Sequence, residues 1–327
     1  MSFLKRFFQS EAGAAVLWAL SALVLAAAIA PWAYRAGINL AEAAASKDLS
    51  GPLEWLGEAC GRAKFSRFFS RSLEGSAMVL LPLLLWRIRL VRAGKGLSGE
   101  ARGRVSWKSG LIQVGVGCVI TGGMLWGVGM VLEGLGAYAP VANPPAPGKF
   151  LRAILIPAVA AAPLEEWLFR GLLLGLWLKF ARPLAACVGT SFCFALVHFL
   201  QAPDGSIIAD PAAPSAGFEL LGKILLHFTD PRVFATDFAT LFVIGMILAR
   251  ARVRTGALWF SIGLHAGWIA AFKGFNLLHR TVSGHPLHPW GVGESLRSGL
   301  FPLVGLGLTA VICHFVLRRF EAGRPVA

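Results

Sequence analysis

Uninterrupted apolar runs, each about the length that carries an α-helix across a bilayer, recur along the whole chain between short polar or Pro/Gly-rich stretches. They predict helices near 12–33, 72–91, 110–134, 149–180, 183–201, 234–251, 255–273 and 299–317. The second is the weakest, because Pro82, Arg87 and Arg89 shorten it. The expected fold class is all-α, a polytopic transmembrane helical bundle of about eight spans. The stretch 203–233 is too polar to span, yet Phe218, Leu221, Ile224, Leu225 and Phe228 recur at helical spacing. That spacing predicts an amphipathic helix, lying at the membrane surface or packed as an ordinary loop helix. No tandem repeat or separate soluble domain is visible, so the chain reads as one membrane domain.

Composition agrees with the pattern. Of 327 residues, 56% are hydrophobic and 15% charged, with mean hydropathy +0.66, which excludes an ordinary soluble domain. Lys and Arg exceed Asp and Glu by 31 − 17 = +14. In a soluble chain that excess would suggest nucleic acid, but here the basic residues cluster at the ends of apolar runs, so no nucleic-acid partner is expected. The segment holding Arg87, Arg89, Arg92, Lys95, Arg102, Arg104 and Lys108 against the single acid Glu100 is assigned to the cytoplasm. Alternation then puts Lys179 and Arg182, the cluster Arg250, Arg252 and Arg254, the pair Arg318–Arg319 and both termini on the same side, with the Pro-rich loop 139–148 outside. The loop 36–71 fits this scheme poorly, since it carries Arg62, Lys64, Arg67 and Arg71 outside. Lys5 and Arg6 precede an apolar run too long for a cleaved leader, which predicts a retained first span in a multi-pass inner (plasma) membrane protein. Cys60, Cys118, Cys187, Cys193 and Cys313 show no paired spacing and read as small packing residues.

Ionisable side chains inside a span are costly and call for a reason. The run Pro163-Leu164-Glu165-Glu166-Trp167-Leu168-Phe169-Arg170 places two carboxylates and an arginine in the longest apolar stretch. Glu166 and Arg170 are one helical turn apart in the orientation that favours an ion pair. Glu165 points about 100° away around the helix, without a partner of its own in sequence. That makes it a candidate general base or acid, the alternative being a purely architectural ion cluster. His198 ends one apolar run and His265 sits in the middle of another, among small residues that let helices approach closely. A single pocket shared by Glu165, His198 and His265 would account for all three.

Glu165-Glu166-x-x-x-Arg170, then Phe194-x-x-x-His198, then His265 in an apolar helix resemble, in order and spacing, the three motifs of the CPBP intramembrane proteases, the CAAX-protease and bacteriocin-processing (Abi) family. The resemblance covers about residues 150–273. It implies an intramembrane endopeptidase of the glutamate type, with Glu165 activating water, Glu166 and Arg170 supporting the site, and His198 and His265 assisting. It divides the chain into 1–148, N-terminal helices with a basic cytoplasmic loop; 149–273, a catalytic helical core; and 274–327, a loop with the last span. The family's third motif commonly has an asparagine four residues after the histidine, where this chain has Ile269. The indole N–H of Trp268 is the candidate replacement donor.

Peptide hydrolysis needs a nucleophile, a proton acceptor and donors for the oxyanion. No Gly-x-Ser-x-Gly elbow occurs, which disfavours a serine mechanism; Ser191 and Ser261 are the span serines considered for it. No cofactor and no metal is expected. Zinc is the competing idea, because two histidines and a carboxylate form a plausible ligand set, although His-Glu-x-x-His is absent. His279, His285 and His288, interleaved with Pro286 and Pro289, read as an ordinary loop rather than a surface metal site. The implied partners are the bilayer and a membrane-anchored, lipidated or C-terminally tagged substrate. The alternatives are an ion-coupled transporter using the acidic motif, or a non-enzymatic immunity or scaffold factor. Oligomeric state is not readable from the sequence.

Overall fold

Each apolar run is helical in the computed structural model, which describes residues 11–46, 49–93, 105–179, 181–199, 206–227, 229, 234–288, 290–293 and 295–322. Helices satisfy every backbone N–H and C=O within the segment, the condition for crossing hydrocarbon. In chain order the elements are α1 (Glu11–Ala45), α2 (Pro52–Gly61), α3 (Phe65–Ala93), α4 (Trp107–Gly134), β1 (Tyr138–Pro140), α5 (Pro147–Glu166), a π-helical stretch (Trp167–Leu173), α6 (Leu174–Trp177), α7 (Pro183–Phe199) and α8 (Ala216–His227). A second π-helical stretch (Phe234–Phe238) then leads into α9 (Ala239–Thr255), α10 (Trp259–Leu278), β2 (His279–Thr281) and α11 (Leu300–Ala322).

Among the described residues, four helices are long and apolar enough to cross a membrane: Val16–Ala45, Trp107–Gly134, Pro147–Trp177 and Leu300–Phe320. Pro183–His198 is a shorter apolar helix. Large apolar side chains such as Val119, Val159 and Leu184 point outward at 70–74% exposure, as lipid-facing positions do and a water-soluble surface does not. The molecule is a helical membrane bundle. Lys5, Arg6, Lys95, Glu100, Arg102, Arg104, Phe228 and Pro289 lie outside the described residues.

The chain forms two compact units. The first comprises Met1–Gly99 with Phe199–Asp230. Its core joins Ala27 and Ala30 of α1, Phe65 and Phe69 of α3, and Ala216, Leu220 and Ile224 of α8. The helix expected between 203 and 233 is therefore present as α8, but its buried stripe differs from expectation. Phe218 and Leu225 are exposed, and the stripe one turn apart at 216, 220 and 224 is buried. The small residue at 216 lets that face approach its neighbours.

The second unit comprises Glu100–His198 with Pro231–Ala327. Its centre is the α4–α10 pair, which runs parallel: Gly110 faces Trp259, Gly117 faces Leu264, and Gly129 faces Phe275. The backbones touch, because a Cβ on Gly117 would meet the Leu264 nitrogen at 2.6 Å. Thr121 Oγ1, buried at this contact, donates to the Leu264 carbonyl at 2.8 Å. α11 packs antiparallel along the pair, with Gly305 beside Val128 and Phe320 against Phe260. β1 and β2 form an antiparallel ribbon, with Ala139 opposite Arg280, that ties the C-terminal ends of α4 and α10 together. The seventh expected helix, 255–273, is shifted: α9 continues to Thr255 and α10 begins at Trp259 and reaches Leu278. The break is Gly256, whose φ of +68° caps α9 in the left-handed region that glycine enters without strain.

Candidate active site

The acidic motif lies where α5 gives way to a wider helix. Pro163 has no N–H to donate, and from Trp167 to Leu173 the chain adopts π-helical turns, with the Leu174 N–H bonded to the Phe169 carbonyl five residues back. Such turns recur at functional sites. Glu165 and Glu166 close the α-helical part and Arg170 sits inside the π-helical part. His198 comes from the end of α7 and His265 from the middle of α10. All lie in the second unit.

The two adjacent glutamates are used differently. Glu166 is fully buried, and so is Arg170; Nη1 of the arginine donates to Glu166 Oε1 at 2.7 Å. Arg170 Nη2 also donates to the Gly245 carbonyl of α9, at 3.4 Å. The guanidinium rests 4.3 Å over the ring of Phe194, a geometry in which the π face stabilises a desolvated cation. Glu166 Oε1 further takes the Nδ1 side of His265 at 3.0 Å. Glu165 retains 30% side-chain exposure, and its Oε2 lies 3.6 Å from His198 Nε2 and 3.7 Å from His265 Nε2. Glu165, His198 and His265, scattered in sequence, therefore lie together. Phe194 is their hub, in ring contact with His198, His265 and Phe169.

The hydrogen bonds determine the tautomers. The Phe194 carbonyl can only accept, so His198 Nδ1, 2.9 Å away, carries the proton. A carboxylate likewise only accepts, so His265 Nδ1 carries its proton toward Glu166. In its neutral form each ring thus turns a bare Nε2 toward the same Glu165 oxygen. Three acceptors converging beyond direct hydrogen-bond reach form a cradle for a molecule with protons to donate, and water is such a molecule.

A pocket of about 130 Å³ borders the two histidines, lined among others by Phe194, His198, His265, Trp268, Ile269 and Arg297, with Glu165 behind the histidines rather than in its wall. Ile269, at the family's asparagine position, offers no donor. Trp268 reaches the pocket, and among the described residues its indole N–H makes no hydrogen bond. Ser191 and Ser261 are buried and donate to Cys187 and Leu258 carbonyls of their own helices, at 2.7 and 3.0 Å. His279 pairs with Glu133 at 3.3 Å, while His285 bonds the Leu135 carbonyl, so these two rings serve different partners. Among the described residues, no group of three or more His, Cys, Asp or Glu side chains is arranged to hold a metal ion. Arg297 was not anticipated: a basic residue in a polar loop carries no signal that distinguishes it from a solvated charge.

On the other side of α10 an apolar groove of about 900 Å³ runs between α4 and α5, past Gly122, Gly123, Gly127 and Ala158, to Pro163.

Residues 147–271 match the family model described as Type II CAAX prenyl endopeptidase Rce1-like. The match spans all three motifs and agrees with the resemblance to the CPBP/CAAX proteases. It supports membrane protease activity in general and a membrane-anchored substrate. No curated protein and no solved structure matches the chain.

Proposed function

We propose that this protein is an intramembrane endopeptidase of the plasma membrane that hydrolyses a peptide bond in a membrane-anchored, lipidated or C-terminally tagged substrate through water activated by Glu165. The observation that carries the reading is the convergence of His198 Nε2 and His265 Nε2 on the accessible carboxylate of Glu165. Glu165 takes a proton from water as the oxygen attacks the scissile carbonyl carbon. The oxyanion that forms is met by the Trp268 N–H. The proton then passes to the leaving nitrogen as the C–N bond breaks, giving a carboxylic acid and an amine. Glu166 and Arg170 do not touch the substrate; their pair holds the Nδ1 side of His265 and so aims its Nε2.

Orientation is part of the proposal. In the second unit the helix ends bearing Lys108, Arg250, Arg252, Arg254, Arg318 and Arg319 share one end of the bundle, given the parallel α4–α10 pair and the shared core of α9, α10 and α11. The positive-inside rule assigns that end to the cytoplasm. The C-terminal end of α11 is then cytoplasmic, and Leu296, packed with Leu132 and Phe275 at the C-terminal ends of α4 and α10, lies with its neighbour Arg297 toward the opposite face.

The test compares protein termini in membrane and secreted fractions of cells carrying wild type, Glu165→Gln, or Val119→Ala at a lipid-facing position. Glutamine keeps the shape but cannot take the proton, and a lost general base costs about 10²–10⁴-fold. Specific termini should vanish only in Glu165→Gln at equal expression. Identical profiles in all three would put a transporter or scaffold role in its place. With a metal chelator present, cleavage by purified protein should persist; loss that zinc restores would replace glutamate activation with a metal-bound nucleophile.

A further inference from the structure

Arg297 lies in the connection between β2 and α11, beyond the segment that the family model matches. It nevertheless lines the same pocket as His198 and His265. Its guanidinium carbon lies on the Phe272 ring side, 5.8 Å from the ring centroid. A cation–π contact leaves the five N–H donors of the guanidinium without an acceptor. Among the described residues no carboxylate, carbonyl or hydroxyl accepts from them. Arg170, the other guanidinium near the site, is by contrast committed to Glu166 and Gly245.

The loop that carries Arg297 is held in place. Leu296, its neighbour, is fully buried beside Leu132 and Phe275, and Ser298 accepts from the Gly293 N–H while donating its own N–H to Ser295. Most of the pocket wall is apolar, with Met124, Leu241 and Leu306 in it, and its polar side chains besides Arg297 are His198, His265, Trp268, Thr240 and Thr309, none of them an anion. A fixed, always-charged fork in a low-dielectric pocket is matched geometrically by a carboxylate, which takes two parallel N–H bonds at once. A water-filled surface would screen such a pairing, and this wall does not.

We propose that Arg297 is a specificity-determining residue that binds a carboxylate of the substrate within a few residues of the scissile bond. Resting on the hydrolytic reading above, this makes the free C-terminal carboxylate of the released segment the group recognised. An Asp or Glu side chain in that segment is the other source of the same chemistry.

The probe is a library of synthetic S-farnesylcysteine peptides, each made as the free acid and as the C-terminal carboxamide, and each with Asp or Asn near its C-terminus. Full-length wild type, Arg297→Gln, Arg297→Lys and Glu165→Gln are reconstituted in liposomes, and products are read by mass spectrometry. Wild type should cut the free acids about 10- to 100-fold better than the amides in kcat/KM, as expected for one charge-assisted pair, mostly through KM. Arg297→Gln should collapse that ratio toward one, and Arg297→Lys should keep part of it. A ratio that follows Asp against Asn and ignores the amide supports the same residue with the side-chain source. Equal cleavage of all forms by wild type and Arg297→Gln, with Glu165→Gln inactive, overturns this inference and leaves the hydrolytic reading standing. Undiminished cleavage by Glu165→Gln, or no cleavage by wild type, overturns both.

Discussion

Glu165 and Glu166 are neighbours in sequence and opposites in use. Burial separates them: a carboxylate with no exposure survives because Arg170 and His265 share one of its oxygens and the Ser261 side chain stands beside it, which leaves the half-open Glu165 as the group that can meet a reactant. Removing one partner of such a pair leaves an uncompensated buried charge, at a cost of about 3–5 kcal/mol. Arg170→Met should therefore lower the thermal midpoint in detergent sharply, and adding Glu166→Gln should recover much of the loss. Equal midpoints for the single and double variants would show that the two charges are not coupled. Most of this cluster was legible from sequence, because Glu165, Glu166, Arg170, His198 and His265 interrupt apolar runs where each charge or imidazole carries a penalty. Arg297 was not, because its loop has ordinary polarity, and neither was the Gly245 carbonyl, because every residue has one.

At the scale of elements, periodicity located the helices and erred where local geometry departs from the α-helix. The three-residue strands are too short to alternate, the π-helical turns leave no mark in composition, and α10 starts late because only Gly256 reports the break. For α8 the periodicity was present twice over, and packing selected the 216-220-224 stripe. The α4–α10 contact makes a sharp prediction. A leucine at Gly263 would drive into the Val114 backbone, so Gly263→Leu should lose the monodisperse peak on size-exclusion chromatography in detergent. Gly115, with no atom near the place of a Cβ, should accept alanine with stability equal or higher by about 0.5–1 kcal/mol. If Gly263→Leu elutes as wild type does, the close approach is not what holds the pair.

For the whole molecule, sidedness joins the site to its substrate. Green fluorescent protein fused after α11 should fluoresce and alkaline phosphatase fused there should be inactive, since only the first matures in the cytoplasm and only the second outside it; the reverse result would turn Arg297 toward the cytoplasm. The parallel course of α4 and α10 also bears on how the protein is made. Parallel neighbours cannot be joined by a hairpin, and Thr121 waits for a partner 143 residues downstream. At a ribosomal pace of roughly 5–20 residues per second, the glycine-lined side of α4 spends on the order of ten seconds in the bilayer before α10 emerges. For that interval the nascent chain needs lipid or an insertase to shield this side, and the active site closes only late in translation.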